Sequence, residues 1–254
     1  MLLVVVRAAQ AITALTAADM KSVAAAVGLA PADVRMRLAG TLPRVLLNER
    51  EATDLAQAAA ALRRLGFVTV LCDAAAAPGD DDRIIGRRLA VDDDVLQIWD
   101  ATDTCHELPR ADIALIQRGQ RIVTETQTTT TTQRKFDAGR ALLSGGLMLT
   151  KKAVQTTTLS QETRELFLLL QRRDGQPDVI LYERRLDYRF LGAEMTPASR
   201  ANFDRVTTRL RAFCSKTPFD ERAAQPAFIA GLPATSADPT DLGLYLIALA
   251  VATT

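Results

Sequence analysis

The sequence predicts an α+β fold: a small β-α-α-β-α-β domain, then a β-rich barrel or sandwich closed by an amphipathic helix. Three observations lead there. The first 73 residues alternate β-branched apolar runs with alanine-rich helical stretches that end on glycine. The middle of the chain carries short runs of alternating polarity separated by turn signals. After these, Phe203, Val206, Leu210 and Phe213 form one apolar stripe at helical spacing. With 254 residues and 48% hydrophobic content, the chain can bury the core of one large or two small domains.

Leu2–Val6 is a continuous apolar run and predicts a strand covered on one or both faces. Thr16 is placed to cap a helix through Ala17–Val27, which Gly28 ends. Pro31 opens a second helix over about Ala32–Ala39, stopped by Gly40. Arg44–Leu47 reads as a short strand. In Glu51–Leu65 the residues Ala52, Leu55, Ala59 and Leu62 keep helical spacing, with Arg63 and Arg64 in the last turn. Gly66 ends that helix, and Phe67–Cys72 is the next strand.

The run of residues 32–73, ADVRMRLAGTLPRVLLNEREATDLAQAAAALRRLGFVTVLCD, resembles the C-terminal domain of the bacterial ribosomal stalk protein. The likeness lies in a helix ending near a proline, a strand, a long alanine-rich helix, Leu-Gly, then an alternating strand. It implies, for residues 1–76, a three-stranded antiparallel sheet carrying three helices on one face. It also points to the second helix as a contact surface, with Arg35 and Arg37 as its basic residues. That helix lacks the glycine- and lysine-rich surface with which the family recruits translation factors, so a re-used interaction module is the expectation.

Residues 77–85 combine a Pro-Gly turn with the acidic run Asp80–Asp82 and read as a solvated linker. The triplet lacks the glycine and terminal glutamate of a calcium loop, so no metal is expected there. From 86 to 222 the domain is β-rich. Arg87–Val91 and Val95–Trp99 are strands around a turn at Asp92–Asp94; Glu165–Arg172 and Val179–Arg184 flank an Asp-Gly hairpin turn. Thr196 and Pro197 are placed to cap and open the amphipathic helix. Short strands closed by one such helix, together with Glu107-Leu108-Pro109-Arg110-Ala111-Asp112-Ile113, are similar to the pleckstrin-homology-like domains of bacteria. The resemblance covers about residues 86–215 and implies a small binding barrel.

The most unusual stretch is the insert 122–165. Two threonine-rich arms, Thr124–Thr132 and Thr156–Thr163, predict paired strands that set threonine against threonine. Between them, Phe136–Leu149 is apolar, with Leu142, Leu143 and Leu147 rimmed by Arg134, Lys135, Arg140, Lys151 and Lys152. These leucines are either core or a basic-rimmed patch suited to an anionic membrane surface or a second copy of the chain. Residues 223–238 read as an irregular strap. Asp238 and Pro239 open an apolar tail helix, Leu242–Val251, whose length of roughly 20 Å at 1.5 Å per residue is too short for a bilayer core of about 30 Å.

A net charge of +1 gives no global field toward nucleic acid, and with 5% aromatics a stacking platform for single strands is not expected. Cys72, Cys105 and Cys214 lie far apart, as free thiols in a reducing compartment do, and the short apolar run before Arg7 is not a signal peptide. A cytoplasmic location is the expectation. One histidine, His106, beside Cys105 on a predicted strand, makes no dyad, because strand neighbours point to opposite faces. No phosphate loop, dinucleotide fingerprint, nucleophile elbow or metalloprotease helix is present. The reading is therefore a non-enzymatic intracellular interaction or scaffold protein, without cofactor, acting on a protein partner or on itself. The alternatives are peripheral binding to anionic lipid through the insert, and an enzyme of unrecognised class.

Overall fold

A computed structural model describes residues 1–49, 54–136 and 150–253, with the backbone alone over 124–136 and 150–162. The chain forms two compact units: Met1–Arg121 together with Leu166–Thr254, and Ile122–Glu165. It is α+β, with three open sheets among the described residues; none closes into the barrel that the sequence allowed.

The first unit opens with strand β1 (Leu2–Ala8), helices α1 (Ala17–Val27) and α2 (Pro31–Arg37), strand β2 (Arg44–Asn48), helix α3 (Leu55–Arg64) and strand β3 (Phe67–Cys72). The strands make an antiparallel sheet in the order β2-β1-β3. Thr16 caps α1 through a reciprocal box with Asp19, and Gly28 ends it at φ 69°, a left-handed value that glycine adopts without cost. Successive side chains of β1 alternate between the sheet's two faces. Leu3 and Val5 pack under α1, α2 and α3 with Met20, Val23, Val34 and Leu62. Leu2, Val4 and Val6 point the other way, into a second core. That two-sided burial is why β1 reads as an unbroken apolar run.

Next come β4 (Ile84–Gly86), β5 (Arg88–Asp92), β6 (Val95–Trp99), β7 (Cys105–Pro109), β8 (Ile113–Phe136), β9 (Thr150–Arg172) and β10 (Val179–Tyr182). Then follow α4 (Ser199–Phe213), β11 (Phe219–Asp220), α5 (Pro226–Ala230) and α6 (Pro239–Ala252). Strands β11-β8-β9-β10-β4 form a five-stranded mixed sheet, and β5-β6-β7 a three-stranded antiparallel one. Leu166, Leu168 and Leu170 of β9 share one core with Leu96, Ile98 and Leu108 of the small sheet and Phe203, Val206 and Leu210 of α4. Phe167 and Leu169 face the opposite core with Leu115, Ile180 and Tyr182. Helix α4 begins at Ser199 with Ala198 at its N-cap rather than Thr196, whose hydroxyl donates at 2.9 Å to the buried Asn202. Asn202 Oδ1 accepts from the Thr196 amide at 2.8 Å and its Nδ2 donates to the Thr196 carbonyl at 2.7 Å.

The apolar tail is helix α6, and it lies between two sheets. Leu242, Leu246 and Ala250 pack on Leu2, Val4 and Val6. Leu244 and Ile247 pack on Phe167, Leu169 and Ile180. Asp238 caps it by accepting from the amides of Thr240 and Asp241.

The solvated linker expected over 77–85 is instead a built segment. Arg83, its side chain 2% exposed, donates to Asp241 of α6 at 2.6 Å and to the Pro78 carbonyl at 2.6 Å. Tyr182 donates to Asp80 at 2.5 Å, and Arg121 to the other Asp80 oxygen at 3.2 Å. Burial pushes the Asp241 carboxyl up, against the opposing pull of Arg83. Ile84 and Ile85 join the large sheet as β4, parallel to β10. Within the acidic run, Asp80 is paired with Arg83 and with the sequence-distant Arg121, while Asp81 and Asp82 stay exposed.

Because α6 fills the space between two sheets, Leu246→Ala opens a cavity that neither sheet alone can close. Urea unfolding of this variant is expected to show a loss of about 2–5 kcal/mol. An effect below 1 kcal/mol would mean that α6 does not hold the two sheets together.

Candidate functional site

Strands β8 and β9 contain 24 and 23 residues, against four in β10 and two in β11. They are neighbours in the sheet, and their ends fix their direction. The 13 residues between Phe136 and Thr150 span at most about 45 Å. A parallel return along a strand of this length would need about 75 Å. The pair is therefore an antiparallel ribbon. Three points agree on its alignment. A Cβ on Gly119 would sit 2.1 Å from the Phe167 ring, so these residues face each other. Thr163 Oγ1 donates to the Val123 carbonyl at 3.3 Å. Phe136 closes one strand where Thr150 opens the other.

The other strands reach only the base of this ribbon. β11 pairs with Ile116 and Gln117 of β8, and β10 with Phe167–Leu170 of β9. Over 122–136 and 150–165, each strand has the other as its one strand neighbour among the described residues. Both threonine arms lie in this part, in two strands that are neighbours in the sheet. Each strand keeps one outer edge of backbone N–H and C=O groups outside the sheet's ladders.

The residues singled out in the insert fall as follows. Arg134 and Lys135 stand just before Phe136, the last residue of β8, and Lys151 and Lys152 just after Thr150, the first residue of β9. The antiparallel pairing brings all four to the same end of the ribbon. Arg140, Leu142, Leu143 and Leu147 lie outside the described residues. On α2, Arg35 is exposed, while Arg37 is half-buried and donates to the Leu46 carbonyl at 2.8 Å. Arg37 thus ties α2 to β2, while Arg35 remains a surface group. Between them Met36 is 70% exposed.

His106 Nε2 lies 2.9 Å from Asp100 Oδ2, and this contact with Thr102 holds the Asp100 carboxyl well below the usual range. Cys105, next to His106 on β7, is exposed. Cys72 and Cys214 are buried, and burial pushes both thiols up to about 11. Among the described residues no three His, Cys, Asp or Glu side chains are grouped to hold a metal ion. No helix among them is long and apolar enough to cross a membrane. Comparison with protein-family models, curated proteins and solved structures finds no match to this chain.

Alkylation with iodoacetamide at pH 7.5 is expected to label Cys105 and to spare Cys72 and Cys214 until the chain is unfolded, because the thiolate is the reactive form. Mass spectrometry of the peptides reads this directly. Equal labelling of Cys214 in the folded protein would contradict its burial.

Proposed function

We propose that the protein works by binding a protein partner, without catalysis, through the threonine ribbon of 122–165. One observation carries this reading: the ribbon's two strands run far past every other strand of their sheet and keep an outer edge each. A two-stranded ribbon is at best marginally stable alone, and an open edge offers main-chain hydrogen bonds to a further strand. The resemblances to the stalk-protein domain and to pleckstrin-homology-like domains support it, since both imply contact modules.

The test replaces residues 124–162 by Asn-Gly, a two-residue turn that closes the base of the hairpin. The shortened chain is expected to unfold at the same urea concentration as the parent, because Met1–Arg121 and Leu166–Thr254 form a compact unit of their own. It is expected to lose the partner that the parent chain retains from its own cell extract. An identical set of retained proteins for both chains would overturn the proposal.

A second reading rests on the basic end of the ribbon. Arg134, Lys135, Lys151 and Lys152 share one end, and each basic residue near an anionic leaflet adds about 1 kcal/mol at low salt. On this reading the parent sediments with phosphatidylserine vesicles at low ionic strength and not with phosphatidylcholine vesicles. Changing these four residues to glutamine abolishes sedimentation. Undiminished binding by that variant, or none by the parent, would rule this reading out.

A further inference from the structure

A cleft of about 540 Å³ opens where the small sheet, the start of β8 and the end of α4 meet. That is within the range of small-molecule sites, roughly 300–1,000 Å³. Its wall carries three cations, Arg110, Arg173 and Lys216, against one carboxylate, Asp94. Asp94 is already paired with Arg110, whose guanidinium also lies 5.5 Å from the centre of the Phe213 ring. The other two charges are uncompensated. Arg173 donates through Nη2 to a neutral acceptor, the Ile113 carbonyl, at 3.1 Å, and its amide to the Asp112 carbonyl at 3.0 Å. This fixes its base at the rim and leaves most of the guanidinium's five donors unused. Lys216 stands on the turn after α4, beside the Ser215 hydroxyl, and both are exposed. Among the described residues neither Arg173 nor Lys216 has a carboxylate at ion-pair distance.

Two features could cancel that charge, and neither does. The C-terminal end of α4 carries about half a negative charge, less than the two unpaired cations. The buried Cys214 thiol at the cleft is pushed up to about 11 and is therefore neutral at physiological pH. Behind the cations the lining is apolar, with Val95, Pro109, Ile113, Phe213 and Pro218. A cationic rim over an apolar floor selects a ligand with the reverse arrangement.

We propose that this cleft binds a small organic oxyanion, a phosphate or carboxylate on an apolar body, with Arg173 and Lys216 holding the oxygens and Phe213 facing the body. The site is separate from the ribbon and does not depend on the role proposed for it.

The test is a titration of the full chain, followed by amide NMR, with phenyl phosphate, benzoate and inorganic phosphate. Phenyl phosphate, benzoate or both are expected to shift the amides of Ser215, Lys216 and Thr217, and whichever binds names the head group. Inorganic phosphate alone is expected to bind about tenfold or more weakly, because it leaves the apolar floor unused. The variant Arg173→Gln plus Lys216→Gln changes two exposed side chains and is expected to weaken organic binding by about tenfold or more. Lys216→Glu alone, on an exposed turn, repeats the test should the double variant unfold. No shift at residues 215–217 with either organic anion would overturn the proposal. So would shifts that persist undiminished in the variants, or inorganic phosphate binding as tightly as the organic anions.

Discussion

Two sheets of the first unit turn apolar faces toward helix α6, which shares their cover with Ala223 and Phe228 on one side and with Leu232 and Ala237 on the other. Val4 and Val6 of β1 meet Leu242 and Leu246 on one side; Phe167 and Leu169 of β9 meet Leu244 and Ile247 on the other. A helix buried along most of its circumference gains by being apolar all round, because each side chain removed from water contributes roughly 1.5–3 kcal/mol. The same helix has no stable existence in water without its sheets. Folding of the N-terminal sheet, the C-terminal helix and the five-stranded sheet is thereby coupled through one element. Gly243 fits this arrangement, since a Cβ there would come within 2.9 Å of Ile229, on the segment that follows β11.

Arginines make the polar ties around this helix. Arg83 reaches Asp241 in its first turn, and Arg44 of β2 donates to the carbonyls of Phe228 and Ala227 at 3.0 and 3.3 Å. Arg222 donates to the Leu42 carbonyl at 2.5 Å. Each joins parts of the chain more than 150 residues apart, with the separations 158, 184 and 180. A guanidinium suits this work because several donors in a fixed plane satisfy carbonyls at a helix end, where N–H partners have run out. Burial has a cost: Arg44 faces no carboxylate in these bonds, its Nε has no partner among the described residues, and its pKa is lowered by desolvation. Such groups fix geometry more than they add stability.

Local grammar made much of the first 73 residues legible. The cap at Thr16, the left-handed Gly28 and the strand alternation of β1 all depend on residues near one another in sequence. What escaped was long-range. Nothing around Leu242 and Leu244 announces that the first is covered by residues 2–6 and the second by Phe167 and Leu169. Asp80–Asp82 reads as a solvated run because Arg121 and Tyr182, which engage Asp80, stand 41 and 102 residues away. Gly40 reads as a helix stop, but α2 already ends at Arg37 with Leu38 as its cap; Gly40, at φ +92°, lies in the turn beyond, and the space its missing side chain leaves admits Arg44, whose Nη2 would lie 2.6 Å from a Cβ. The cleft at the end of α4 was equally hidden, since Asp94, Arg110, Arg173 and Lys216 converge from four separate turns.

The composition of the ribbon bears on why it is there. A strand edge that must stay solitary is usually blunted by charge, proline or a bulge. Residues 126–133, TQTTTTTQ, and 153–161, AVQTTTLSQ, contain no charge and no proline. Threonine as a residue type favours pleated backbone through its β-branch, and its hydroxyl is compatible with water. Charges return at both ends, as Arg134–Lys135 and Lys151–Lys152 at one and as Glu125, Glu162 and Arg164 at the other. A ribbon kept extended and water-compatible, yet unprotected along its backbone, retains its capacity to pair. That capacity is a liability in a protein with no partner and an asset in one whose work is to join another chain.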